Sequence, residues 1–262
     1  MDQKLVSSWF HLHSSVPLSY VQPPESRPGM ILKASEEFGF FQVINHGVSK
    51  ELMDDTLNIF KEFHAMPAEE KIRESSRDPN GSCRLYTSRE INNKDIVQFW
   101  RDTLRHFCPP SGEFIDSPLL LAHHYPPCPE PSLTLGAPKH RDPDLATVLL
   151  QEKDINALQV FKDGEWIVVE PIPYAFVVNI SLMLQIISNG RFIGAEHRVV
   201  TNSGIARTTV AYFIRPTNEQ IIEPAKLLLS SGACPIYSSI TFEEFVRNFM
   251  SKGPDIEQEL LL

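Results

Sequence analysis

The stretch LQVFKDGEWIVVEP, residues 158–171, decides the fold class. Apolar and polar residues alternate on both sides of the turn residues 162–165, and Asp163-Gly164 is a dipeptide typical of tight β-hairpins. This pattern predicts two antiparallel strands. Further strands are predicted over 96–107, 119–125, 147–151, 175–180, 196–200 and 207–216. Many short strands at close spacing are typical of a β-sandwich or a barrel.

Helices are predicted on both sides of this strand-rich region. Residues 1–29 are rich in Ser and Pro and predict an extended arm, followed by a helix over 30–37 and a strand over 40–46. Ser49 occupies an N-cap position ahead of a helix that runs to about Met66, and Pro67 opens a short helix over 68–74. At the other end, Thr241 and Glu244 form a capping box that opens a last helix.

Composition excludes several classes of protein. The chain has 262 residues, 42% of them hydrophobic, which is too apolar for a disordered protein. A net charge of −9 argues against a nucleic-acid partner, because such proteins usually carry a basic surface. There is no apolar run of about 18 residues to cross a membrane, and the first residues do not resemble a secretory signal. The four cysteines form no CxxC pair, which favours free thiols and a cytoplasmic location.

One short motif predicts a metal site. If His140-Arg141-Asp142 is extended, the two-residue period of a strand places His140 and Asp142 on one face. His197 begins a later strand and can supply a third ligand. Two histidines and one carboxylate on one face of a metal are typical of non-haem Fe(II) oxygenases. Alone, the triplet is weak evidence for a metal site, since a polar loop after Pro138 can contain the same three residues by chance.

Arg207 and Thr209 strengthen the metal interpretation. They begin a strongly apolar strand and share a face that is expected to point inward. A buried arginine needs an anion, and its planar guanidinium fits a carboxylate. Tyr125, on the strand that leads into PPCP, can donate a further hydrogen bond. The combination predicts a small dicarboxylate that chelates the metal at one end and is held by Arg207 at the other, although pairing of Arg207 with an Asp or Glu of the protein stays open.

Two further residues are candidates with equally ordinary alternatives. Phe213 lies at even spacing from Arg207 on the same strand, so it is expected to line the substrate pocket or to be a core residue. Asn179, in the segment VVNI, is expected to hold a metal ligand or a backbone group through its amide.

The chain resembles the plant 2-oxoglutarate- and Fe(II)-dependent dioxygenases. The resemblance runs from about Val6 to Phe249 and looks closest to the branch of hyoscyamine 6-hydroxylase and the deoxymugineic acid dioxygenases. The segments that carry it are FGFFQVINHG, FWRDTLRHFCPP, HYPPCPEPSLTLG, HRD, AFVVNI, EHRVVTNS and ARTTVAYFIRP.

This resemblance implies a fold, a reaction and a set of ligands. The fold is mainly β with flanking helices around a double-stranded β-helix, a jelly-roll core like that of the cupins. Residues 1–110 form a truncated N-terminal arm with a helical and strand layer, and residues 111–262 form the jelly-roll core. The resemblance assigns Fe(II) to His140, Asp142 and His197, and 2-oxoglutarate to Arg207, Thr209 and Tyr125. O2 is the second co-substrate, ascorbate the reductant, and a small plant metabolite the molecule that is hydroxylated or otherwise oxidised.

The sequence departs from the family at three places. His123 stands where the family has the Asn of an Asn-x-Tyr motif. The family has several helices between Cys108 and the YPPCP strand, where this chain has only SGEFIDSPLLLAHH. A first strand that precedes the first helix in the family is also missing near Pro28-Gly29. Two losses of this kind indicate missing internal segments, as in a splice or gene-model variant.

Three functional hypotheses follow. The first is a 2-oxoglutarate-dependent dioxygenase that releases succinate and CO2. The second is a catalytically impaired remnant, because lost helices leave apolar surface uncovered at roughly 25 cal/mol per Å2, and a domain is stable by only about 5–15 kcal/mol. The third is a cupin-like metal hydrolase or isomerase, against which the pair Arg207 and Thr209 argues, since hydrolysis needs no dicarboxylate site.

Overall fold

The computed structural model describes residues 27–74, 83–87, 99–108, 118–230 and 232–262. Most of the predicted arm, the start of the strand predicted over 96–107, and much of the shortened segment after Cys108 lie outside these residues. Within them, no helix combines the length and the hydrophobicity that crossing a membrane requires.

The N-terminal part is helical, with one strand. It contains α1 (Arg27–Glu37), β1 (Phe40–Val43), α2 (Lys50–Ala65) and α3 (Ala68–Glu74). Ser49 caps α2 as predicted, because its side chain accepts a hydrogen bond from the backbone N–H of Leu52. The strand predicted over 40–46 ends earlier, at Val43, because the chain turns at Asn45, which has φ +56°.

Seven strands form the larger antiparallel sheet. After β1 they are β2 (Cys83–Thr87), β3 (Asp102–Phe107), β4 (Leu119–Tyr125), β6 (Ala146–Gln151), β9 (Phe176–Ile180) and β11 (Arg207–Ile214). Their order across the sheet is β1-β9-β6-β11-β4-β3-β2. The long central strand β11 therefore lies between β4 and β6, which places Arg207 opposite Tyr125 and Thr209 opposite Gln151.

The smaller sheet has four strands. They are β5 (Leu135–His140), β7 (Leu158–Lys162), β8 (Glu165–Val168) and β10 (His197–Val200), in the order β5-β10-β7-β8. The predicted hairpin is confirmed: Lys162 pairs with Glu165, and Asp163 and Gly164 have φ +51° and +87°. Positive φ at both central residues is typical of the type I′ turn, whose twist matches that of the flanking strands.

Apolar side chains of both sheets meet in one core. Phe40, Tyr125 and Val177 of the larger sheet pack with Ala137, Leu158, Val160 and Val199 of the smaller one. A second core, around Phe242, Phe245 and Leu182, lies beneath α4 (Leu182–Ile187) and α6 (Phe242–Lys252). The remaining short elements are β12 (Ile221–Ile222), α5 (Lys226–Leu229), β13 (Ile240–Thr241) and two 3-10 helices, Pro131–Leu133 and Pro254–Leu260. Two facing antiparallel sheets with helices outside are the predicted jelly-roll architecture.

Besides the early end of β1, several strand assignments differ from the sequence prediction. The strand predicted over 96–107 begins at Asp102 within the described residues. Strands β2 and β5 were not predicted, and β5 contains Gly136 and Pro138, which both disfavour strands. It forms because it pairs with β10 at the edge of its sheet, where the missing N–H of a proline is tolerated.

Candidate metal and co-substrate site

His140, Asp142 and His197 converge between the two sheets. Each offers one ligand atom, and these three atoms lie within 4.8 Å of one another. His140 ends β5, His197 begins β10, and the two residues are paired across the smaller sheet. Asp142 follows β5 rather than extending it, so pairing of β5 with β10, not a continuous extended triplet, brings the side chains together.

The two oxygens of Asp142 have different partners. Oδ1 lies 3.5 Å from Nε2 of His140 and 3.7 Å from Nε2 of His197. Oδ2 accepts hydrogen bonds from the Thr147 hydroxyl at 2.6 Å and from the Asn179 side-chain amide. The carboxylate is therefore fixed through one oxygen, which leaves the other free to bind a cation.

Backbone carbonyls fix the tautomer of both histidines. Nδ1 of His140 lies 2.8 Å from the carbonyl oxygen of Pro138, and Nδ1 of His197 lies 3.1 Å from that of Ala195. A carbonyl only accepts hydrogen bonds, so each Nδ1 carries a proton, which leaves Nε2, the nitrogen that faces Asp142, as the one that can bind a metal. Burial, and then the neighbouring His197, lower the pKa of His140 to about 4, which keeps its ring neutral.

Arg207 is buried at the larger sheet without a carboxylate partner among the described residues. Its side chain is almost fully enclosed, and Nη2 donates to Oε1 of Gln151 at 2.9 Å. Its Nε is buried and has no hydrogen-bond partner in the described part of the chain. Burial lowers the pKa of Arg207, whereas Tyr125 and Glu152 raise it, and because a guanidinium stays charged at neutral pH this buried cation is suited to bind an anion.

Tyr125 and Thr209 line the same cavity as Arg207 and the triad. The Arg207 guanidinium lies 5.4 Å from the centre of the Tyr125 ring. Gly136 packs directly against this ring. A Cβ added at Gly136 would approach Tyr125 Cδ1 to 2.6 Å. The structure thus brings together all six residues predicted to bind metal or co-substrate.

The other two predicted residues also reach this cavity. Phe213 lines it as a half-buried side chain, and Asn179 contacts Asp142 as described above. His123, the residue that departs from the family motif, lines the cavity as well, and its Nδ1 lies 3.0 Å from the Thr103 hydroxyl.

Sequence reasoning missed four polar residues of the site: Thr147, Gln151, Arg101 and Thr103. Thr147 and Gln151 had a usable signal, because they bracket Leu149 at two-residue spacing on β6 and therefore share its face. Arg101 and Thr103 flank Asp102 in the same way. Polar residues at alternate positions of an otherwise apolar strand indicate a cavity on that face of the strand when its opposite face is covered.

Comparison with known proteins identifies the family. Residues 116–216 match the 2OG-Fe(II) oxygenase superfamily, and residues 29–128 match the family described as non-haem dioxygenase in morphine synthesis N-terminal. Protein DOWNY MILDEW RESISTANCE 6 of Arabidopsis thaliana is 34% identical over 334 aligned positions, which cover 98% of this chain and 97% of the relative. The chain is a 2OG-Fe(II) oxygenase.

Other relatives of this oxygenase belong to the branch that the motifs indicated. Hyoscyamine 6-dioxygenase of Hyoscyamus niger is 34% identical, covering 87% of this chain and 83% of the relative. 2'-Deoxymugineic-acid 2'-dioxygenase of Hordeum vulgare is 35% identical, covering 83% of this chain and 78% of the relative. The crystal structure of JOX2 in complex with 2OG, Fe and JA superposes with a TM-score of 0.81 at 27% identity, covering 98% of this chain and 97% of that one.

The alignment with the Arabidopsis relative is longer than this oxygenase. It runs over 334 positions, whereas the chain has 262 residues, so the relative contains stretches that this chain lacks. The fold nevertheless superposes over 97% of the JOX2 chain, and the binding of Fe(II) and 2-oxoglutarate is a property of the family to which the chain belongs.

The residues of the cavity fit both ligands. Two imidazoles and one carboxylate are donors that suit Fe(II) and occupy one side of it. The buried cation of Arg207 and the hydroxyl of Thr209 suit a carboxylate. The donor set therefore permits a chelating dicarboxylate that reaches from the metal to Arg207.

Proposed function

We propose that this oxygenase oxidises a small organic molecule at Fe(II) held by His140, Asp142 and His197, with 2-oxoglutarate held by Arg207, Thr209 and Tyr125. The observation that carries this assignment is the convergence of three ligand atoms within 4.8 Å, in the same cavity as a buried arginine that lacks a carboxylate partner among the described residues. The distal carboxylate of 2-oxoglutarate supplies the missing anion.

The residues of the chain bind and orient the metal and the co-substrate. Fe(II) and 2-oxoglutarate, when bound, supply the activation of O2, with release of succinate and CO2. Thr147 and Asn179 hold Asp142 in place, and the carbonyls of Pro138 and Ala195 hold the two imidazoles in the tautomer that binds metal. Gln151 orients the Arg207 guanidinium. The apolar core between the sheets keeps water away from one side of the cavity.

The substrate is a small plant metabolite and the reaction a hydroxylation. Support comes from relatives whose names describe oxidation of small molecules: hyoscyamine 6-dioxygenase and 2'-deoxymugineic-acid 2'-dioxygenase. Phe213 forms part of the wall against which this substrate packs. Ascorbate is expected to act as the reductant that keeps the iron in the Fe(II) state.

The organisation, compartment and partners of the chain are further parts of the proposal. Residues 1–110 form the N-terminal layer and residues 111–262 the jelly-roll core. Strands β1, β2 and β3 of the first part join strands of the second part in one sheet, which supports one structural unit made of both parts.

A cytoplasmic location is supported by the four cysteines, which are free thiols. The net charge of −9 supports a small-molecule partner rather than a nucleic acid.

The test is an anaerobic titration of the purified protein with Fe(II) and 2-oxoglutarate. Chelation of Fe(II) by 2-oxoglutarate gives a visible charge-transfer band, which is expected for the parent and strongly weakened for Arg207→Ala. Arg247→Ala, which removes an exposed arginine of α6, is the matched control and should keep the band. A folded parent protein that shows no band would contradict the proposal and favour the impaired remnant.

A further inference from the structure

Arg101 is a second cation of the cavity. It directly precedes β3 and lines the cavity together with His123 and the metal triad. Its Nε is buried and lacks a hydrogen-bond partner in the described part of the chain. No carboxylate of the described residues lies within 4.0 Å of it. The neighbouring Asp102 turns to the other face, where it accepts a hydrogen bond from Thr87 at 2.6 Å.

His123 lies beside Arg101 and is a neutral hydrogen-bonding group. It is almost completely buried, and its Nδ1 is 3.0 Å from the Thr103 hydroxyl. Burial, and then the positive charge of Arg101, hold the pKa of His123 well below its usual value. When Thr103 donates to Nδ1, the Nε2–H of His123 is a donor for an anion that Arg101 attracts.

Arg101 precedes β3 and Arg207 begins β11, two strands that are not neighbours in the sheet. Strand β4 separates β3 from β11 in the sheet, and neighbouring strands are about 4.8 Å apart, so the backbones of the two arginines are roughly 10 Å apart. Gln151 and Tyr125 contact Arg207. Arg101 adds to the positive potential at His123 and at the metal ligand His140, and Arg207 also acts on His123.

The charges of the loaded cavity leave Arg101 without a counter-ion. The charges of Fe(II), Asp142, Arg207 and doubly negative 2-oxoglutarate cancel. Asp144 is paired with Arg215 at 2.9 Å, and Glu152, which acts on Arg207, is paired with Lys61 at 2.6 Å. Arg101 is half-buried, and its enclosed Nε lacks a partner among the described residues, so an anionic group on the remaining ligand of the cavity would supply the partner that this cation is suited to bind.

We propose that Arg101, with His123 beside it, binds a carboxylate of the substrate, and that the molecule oxidised by this protein is therefore an organic acid. This inference rests on the proposed function, because it assigns the remaining ligand of the same cavity. Arg101 orients the acid, and the carbon that is oxidised lies between Arg101 and the metal.

The test measures binding rather than turnover. The protein is loaded with Mn(II) in place of Fe(II) and saturated with 2-oxoglutarate. Three acids, benzoate, phenylacetate and hexanoate, are each compared with the corresponding amide. The paramagnetic relaxation of the probe protons reports the affinity of each probe and its distance from the metal. Arg101→Gln removes the charge, Arg101→Lys keeps it, and Arg105→Gln is the matched control, since Arg105 lies on β3 but outside the cavity lining.

At least one acid is expected to bind the parent protein tenfold or more tightly than its amide. Arg101→Gln should reduce this preference below twofold, Arg101→Lys should retain part of it, and Arg105→Gln should leave it intact. The inference is overturned if no pair shows a preference for the acid, or if the preference survives in Arg101→Gln.

The co-substrate is the other source of a carboxylate, and calorimetry separates the two. Arg101→Gln is expected to bind Mn(II) and 2-oxoglutarate like the parent protein. A tenfold loss of 2-oxoglutarate affinity in this variant would assign Arg101 to the co-substrate and overturn the inference while leaving the proposed function standing. Failure of the parent protein to bind Mn(II) with 2-oxoglutarate would instead contradict the proposed function itself.

Discussion

The side-chain amide of Asn179 donates a hydrogen bond to Oδ2 of Asp142, the carboxylate oxygen that does not contact the two metal-site histidines. Asn179 is buried on β9, one strand away from Thr147 on β6, which donates to the same oxygen. The metal site therefore extends into the larger sheet, although two of its three ligands belong to the smaller one.

Replacing Asn179 should weaken metal binding without unfolding the protein. Asn179→Ala removes one of the two donors that orient Asp142, and loss of such a partner typically lowers metal affinity about 10- to 100-fold. Calorimetric titration with Mn(II) measures this change. Asn58→Ala, on the exposed side of α2, is the control. Equal affinities in the two variants would show that Thr147 alone orients Asp142.

Gln151 is expected to control the affinity for 2-oxoglutarate through Arg207. Gln151→Ala removes a hydrogen-bond acceptor of the Arg207 guanidinium, and a several-fold loss of affinity should follow. Gln151→Glu should cost more, because the new carboxylate neutralises Arg207 and competes with the co-substrate. Metal affinity is the internal control and should change in neither variant. A glutamate variant that binds 2-oxoglutarate more tightly than the alanine variant would contradict this account.

Gly136 keeps the Tyr125 ring in place. A Cβ at this position would approach the ring to 2.6 Å, closer than real contacts allow, so Gly136→Ala should displace Tyr125 from Arg207. We expect roughly tenfold weaker 2-oxoglutarate binding, which corresponds to about 1.4 kcal/mol, with little change for the metal. Gly204→Ala is the control, because its Cβ meets nothing closer than 3.7 Å. Unchanged affinity in Gly136→Ala would mean that the Tyr125 ring does not contribute to co-substrate binding.

His64 should make the protein sensitive to acid. It lies buried on α2, stacked on His124 of β4 with 4.9 Å between ring centres, and neither ring nitrogen has a described hydrogen-bond partner. Burial, and then His124, lower the pKa of His64 to about 4, while Asp102 and Lys71 act in opposite directions. The unfolded chain, with a pKa of about 6.5, binds the proton more readily, so stability falls as the pH decreases from about 6.5 toward 4.

The size of this effect is testable with one variant. At pH 5 the His64 contribution lowers the free energy of unfolding by about 2 kcal/mol relative to pH 7. His64→Phe keeps the stacked ring and removes the titration, so its stability should depend less on pH by this amount. Urea unfolding of both proteins at pH 7 and pH 5 measures the difference. The same pH dependence in both proteins would show that His64 is not the group responsible.

Several parts of the fold follow from local sequence alone. The caps at Ser49 and Thr241 form as predicted, because each side-chain oxygen meets an N–H three residues further along the chain. The hairpin at Asp163-Gly164 follows from two residues that tolerate positive φ. Strand β5 did not follow, since Gly136 and Pro138 have no local preference for a strand and only pairing with β10 holds them extended.

The sequence by itself determined the residue types of the site and the faces on which they lie. For Arg207 and Thr209 the spacing was sufficient, because both lie on β11 and the period of a strand is local, whereas Asp142 lies beyond the end of β5 and is brought to His140 and His197 by tertiary contacts. Only the tertiary structure decided which atoms act. It assigned the proton of each metal-site imidazole through a backbone carbonyl, separated the two oxygens of Asp142, and gave Arg207 an amide neighbour instead of a carboxylate. It also left Arg101 in the cavity beside His123. These features depend on strands that are distant in sequence and meet only when the two sheets close on each other.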